Sequence, residues 1–198
     1  MRKTKFFVVL FVYTAVLYPL GVRIGNTAWT LDSSLILTLF PLFGLAAFSM
    51  LWLHAISGVF EPWLRRNFNF DRFVSITSML ILFSIILHPL LLLIASDFSL
   101  ATIFLNYDKK YIWLAIFGWL LLITYDIGKI FIKRDFFAQN WNKILLISTI
   151  GFLLTFLHSL TLGSDLQTGP LRIIWILYGA TAILATIYTY GFRGPHRQ

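Results

Sequence analysis

Six times in 198 residues, an apolar run long enough to cross a lipid bilayer is closed by a short polar or basic link. This recurrence constrains the chain more than any other feature. The hydrocarbon core of a bilayer takes about 20 residues of helix, and backbone groups inside it must find their partners within the protein. The runs fall at about 6–22, 35–60, 73–95, 111–132, 144–162 and 171–190. The expected fold is therefore an all-α membrane protein, a six-transmembrane-helix bundle formed as one domain over 1–198. Composition agrees: 59% of residues are hydrophobic and 12% charged, where a soluble domain has roughly half and a quarter. Met1–Lys5 precedes the first run like the start of a signal peptide, but no small-residue cleavage pattern follows. That run reads as a retained span.

Charge sets the expected orientation. Of the 16 Lys and Arg residues, twelve fall at one set of alternating span ends and four at the other. Basic residues accumulate on the cytoplasmic side, so both termini are expected there, in a cell's inner (cytoplasmic) membrane. Topology accounts for the formal charge of +8, so the expected partner is membrane lipid and not nucleic acid. There are no cysteines, which excludes disulfides, thiolate metal sites and cysteine-bound iron–sulfur clusters.

Two histidines interrupt otherwise apolar spans: His88 within Ile81–Ile94 and His158 within Gly151–Asp165. A bare imidazole in lipid is costly unless its nitrogens are used. Counted from the cytoplasmic ends of spans three and five, His88 lies roughly 22 Å deep and His158 roughly 24 Å. Equal depth on two helices running the same way suits two axial ligands of one haem, although interhelical hydrogen bonding alone would also use both rings. His54 is expected in the cytoplasmic half, out of register with that pair, and His196 in a solvated tail.

The stretches Glu61–Leu64, Phe70–Phe73 and Leu87–Leu91, with Trp141, His158–Leu160, Gly163–Asp165 and Gly169–Arg172, are similar to the ferric reductase-like transmembrane family. The likeness covers roughly 35–190. That family includes ferric reductases, NADPH oxidases and the haem-binding membrane subunit of a periplasmic methionine sulfoxide reductase system. The resemblance implies a haem b electron carrier with His88 and His158 as the iron ligands. It also implies that electrons pass to an acceptor at the outer face, either ferric iron or a periplasmic redox protein. The family usually carries a second, inner histidine pair. Here Leu145 and one of Val74, Ser75 or Thr77 stand in those places, so one haem is expected, or two if His54 supplies another ligand. No flavin domain or Gly-rich phosphate loop is present in the sequence, so a separate flavin reductase or a membrane quinol is the expected donor.

The remaining polar positions carry smaller expectations. Asp126 and Lys129 share a helix face and should pair locally. Arg172 is expected to meet Asp165 or a haem propionate. Trp29, Trp63, Trp113, Trp141 and Trp175 should anchor at the membrane interfaces. Two rivals stand beside the haem reading: a membrane scaffold that has lost redox chemistry, and a small transporter using Asp126, Lys129 and His54.

Overall fold

The structure, a computed structural model, describes residues 2–30 and 35–192, so the expectation placed on His196 lies outside the described residues. The described residues are 89% helical and contain no strand. Six helices are long and apolar enough to cross a membrane: Lys3–Asn26, Leu35–Val59, Phe70–Ala95, Lys109–Ile130, Trp141–Leu162 and Gly169–Phe192. The chain divides into two compact units, Met1–Ile103 and Phe104–Gln198.

The first unit holds α1 (Arg2–Asn26), α2 (Leu35–Val59), a short α3 (Glu61–Asn67) and α4 (Phe70–Ala95). Helix α1 lies against α2, where the Phe11 and Trp52 rings meet at 5.8 Å. The sequence suggests a polar link over 63–72, and most of that link is helical. Pro62 sits in the first turn of α3, where its missing N–H costs no hydrogen bond. Asn69 then caps α4 by accepting from the Arg72 amide at 3.3 Å, as N-cap side chains do. Arg65 bridges Glu61 at 2.8 Å and Asp71 at 2.6 Å, tying the elbow to the start of α4. Helix α4 ends where Asp97 and Phe98 take positive φ and the Phe98 amide donates back to the Leu93 carbonyl at 2.8 Å. This reversal satisfies terminal carbonyls that would otherwise lack partners. A further short helix, α5 (Leu100–Asn106), spans the division between the units.

The second unit holds α6 (Lys109–Ile130), the short α7 (Asp135–Gln139), α8 (Trp141–Leu162) and α9 (Gly169–Ile187). Helices α6 and α8 approach closely through glycine. A Cβ on Gly151 would fall 2.7 Å from the Gly118 carbonyl, and one on Gly118 would fall 3.1 Å from that of Gly151. Such small-residue crossings let helix backbones touch. Helix α9 then packs Gly179 against the Phe156 ring of α8. It starts at Gly169, whose φ of +83° favours glycine because it has no Cβ.

The two units share an architecture that the sequence hides. In each, a long helix, a short elbow and a second long helix follow one another: α2–α3–α4 and α6–α7–α8. No repeat is visible in the residues themselves.

Candidate functional site

Each unit carries one of the two candidate ligand histidines near the end of its second long helix. His88 lies 18 residues after the start of α4, and His158 lies 17 after the start of α8. Because both helices begin before the apolar runs do, these positions correspond to about 27 Å and 26 Å along each helix at 1.5 Å per residue. Both rings are half-buried.

The contacts of the two rings correspond as well. His88 Nδ1 lies 2.8 Å from the carbonyl of Phe40 on α2, 48 residues earlier. His158 Nδ1 lies 3.1 Å from the carbonyl of Tyr111 on α6, 47 residues earlier. A carbonyl only accepts, so in the neutral ring Nδ1 donates and the lone pair falls on Nε2. Metal-binding histidines are commonly arranged this way, with the second nitrogen's N–H held by a carbonyl that fixes tautomer and ring orientation. His88 makes no second hydrogen bond among the described residues.

His54 is built differently. Its Nε2 lies 2.6 Å from Thr77 Oγ1, and that hydroxyl gives its proton to the Phe73 carbonyl at 2.7 Å. Thr77 must therefore accept, and the proton of the neutral His54 ring sits on Nε2. The nitrogen that reaches furthest from the backbone is occupied in joining α2 to α4. Thr77 is one of the positions where the resemblance places an inner histidine. Here it receives a histidine from the neighbouring helix.

The donor set can be tested against a haem on these observations. The described residues contain no group of three or more His, Cys, Asp and Glu side chains able to hold a bare metal ion. A porphyrin supplies four donors itself, so two imidazoles with their Nε2 lone pairs suffice. The Nδ1 bonds of His88 and His158 are each compatible with that requirement, and the Nε2 bond of His54 is not.

Other polar positions depart from expectation. The bonds of Arg172 go from Nη1 to the carbonyls of Leu166 at 2.8 Å and Gln167 at 3.3 Å. The guanidinium therefore closes the turn between α8 and α9. Lys129 Nζ lies 5.8 Å from the Tyr125 ring centroid. Lys129 still acts on Asp126 electrostatically, but they form no ion pair within 4 Å among the described residues. Trp175 is 1% exposed, where an interfacial anchor was expected. Its Nε1 donates to Ser159 Oγ at 2.8 Å, which removes the reason for an indole to seek the headgroups. Trp29, Trp63 and Trp113 remain substantially exposed.

No family model, no curated protein and no solved structure matches this chain. The two carbonyl acceptors, Phe40 and Tyr111, could not be found from sequence, because a backbone acceptor leaves no side-chain signature. Gly44 was visible only as a glycine in an apolar run.

Proposed function

We propose that this chain is a haem b-carrying electron-transfer subunit of the ferric reductase-like kind, set in a cell's inner membrane with both termini in the cytoplasm. One observation carries the reading. Two corresponding helices each present a histidine near the same end, and each histidine donates Nδ1–H to a carbonyl of the preceding long helix. His88 and His158 would hold the iron through Nε2, and the carbonyls of Phe40 and Tyr111 would keep both rings in that tautomer. The haem, when bound, supplies a one-electron couple. Two protein ligands leave no open iron position, which favours electron transfer over oxygen activation. Electrons would come from a separate flavin reductase or membrane quinol and pass to ferric iron or a periplasmic redox protein at the outer face.

A second reading rests on the same two bonds. Each satisfies an imidazole by joining two helices, which is what a membrane scaffold without redox chemistry would need. Alanine variants separate the two. His88→Ala and His158→Ala should each abolish haem retention while leaving the protein in the membrane. Haem retained with an unchanged spectrum in either variant would sink the assignment.

A further inference from the structure

Helix α2 carries two glycines in its apolar run, and they stand in opposite surroundings. A Cβ on Gly58 would meet nothing within 4 Å. A Cβ on Gly44 would fall 2.9 Å from both Nδ1 and Cε1 of His88 and 3.4 Å from Nε2. The Nδ1–Cε1 edge of the His88 ring therefore lies against the bare α-carbon of Gly44. Gly44 stands four residues after Phe40, on the same helix face, so the notch and the carbonyl acceptor are stacked one turn apart. The Phe40 ring flanks the imidazole, with centroids 5.4 Å apart.

We infer that Gly44 is a positioning residue: its missing side chain makes the slot in which the His88 imidazole reaches the Phe40 carbonyl and turns Nε2 toward a ligand. The inference rests on the haem reading for the identity of that ligand, while the slot itself does not depend on it. A methyl group at Gly44 has two ways to be accommodated. Either the ring swings about its side-chain torsions, lengthening the 2.8 Å bond to Phe40, or α2 and α4 move apart. Both change where Nε2 points. Glycine is a poorer helix former than alanine, a cost that Gly44 offsets by admitting the ring. In the second unit, the residue four after Tyr111 is Ala115, and there the histidine-to-carbonyl distance is 3.1 Å.

Gly44→Ala and Gly58→Ala make the same chemical change in the same helix, so comparing them in the full-length protein isolates the slot. With haem added to detergent-purified protein, Gly44→Ala should lower haem affinity by about tenfold or more, the usual effect of disturbing an outer-shell partner. It should also shift the low-spin electron paramagnetic resonance signature, while Gly58→Ala changes neither. Identical affinity and signature in the two variants would overturn the inference. Should wild-type protein bind no haem, the haem reading falls, and Gly44 is then judged on ¹⁵N-histidine NMR of the haem-free protein. There His88 should show the Nδ1–H form in wild type and Gly58→Ala, and lose it in Gly44→Ala. The same tautomer in all three would overturn the slot. Should Gly44→Ala fail to fold, wild type alone decides. A nuclear Overhauser contact between His88 Hε1 and the Gly44 α-protons is expected, and its absence overturns the inference.

Discussion

The pairs α2/α4 and α6/α8 solve one architectural problem with different chemistry. Helices α6 and α8 are held by shape. Gly118 and Gly151 bring the backbones together, Gly128 faces Ile144 and Trp141, and Ser148 donates across to the Leu122 carbonyl at 3.2 Å. Helices α2 and α4 are joined by polar bonds at two levels, His88 to Phe40 and His54 to Thr77, and the glycine of this pair faces a ring, not a backbone. Their packing residues have little in common. What the pairs share is a histidine late in the second helix donating Nδ1–H to a carbonyl 47 or 48 residues earlier. Packing alone has no need of that agreement, because α6/α8 already has its glycine contacts. That agreement is what the proposed ligation through each Nε2 would require.

The contrast makes unequal predictions, the largest at the glycine crossing. Gly151→Ala would place a methyl 2.6 Å from the Leu122 amide nitrogen and 2.7 Å from the Gly118 carbonyl, and backbone cannot give way as a side chain can. Overpacking of this kind costs about 1–3 kcal/mol, so reversible unfolding in mixed micelles should show a clear loss of stability. Gly44→Ala, which meets a movable ring, should lose less. Equal losses would mean that the two pairs are not held by different means.

A smaller effect is expected at the His54–Thr77 level of α2/α4. Thr77→Val keeps the shape and removes the acceptor for His54, and interhelical hydrogen bonds in membrane proteins are worth about 0.6 kcal/mol on average. Stability should fall slightly with haem content unchanged. Loss of haem in Thr77→Val would make His54 part of the cofactor site and end its role as a purely structural bond.

The sequence foretold the coarse architecture well. Six spans were legible because apolar runs of bilayer length have few other uses. Their starts were less so: α4 begins at Phe70 and not Phe73, since Asn69 caps it and the elbow of Glu61–Asn67 is itself helical. Short linking helices such as α5 and α7 lack the length that makes periodicity readable. At the site, His88 and His158 stood out because polar rings are rare in apolar spans. Their partners stayed hidden, since Phe40 and Tyr111 contribute carbonyls that any residue carries. The repeated architecture was concealed for the same reason: corresponding positions, such as Gly44 and Ala115, keep the helices in order without keeping residue types. For Arg172 the sequence could not show that the turn's own carbonyls, those of Leu166 and Gln167, take donors of the guanidinium.

The most direct test of the haem assignment is a reduced-minus-oxidised visible spectrum of the full-length protein purified after haem-replete expression, with haem quantified per chain. The proposed ligation by His88 and His158 predicts about one haem per chain with a low-spin b-type spectrum. A folded, membrane-inserted protein with no Soret absorption would contradict the account and leave the two histidine–carbonyl bonds as helix joints alone.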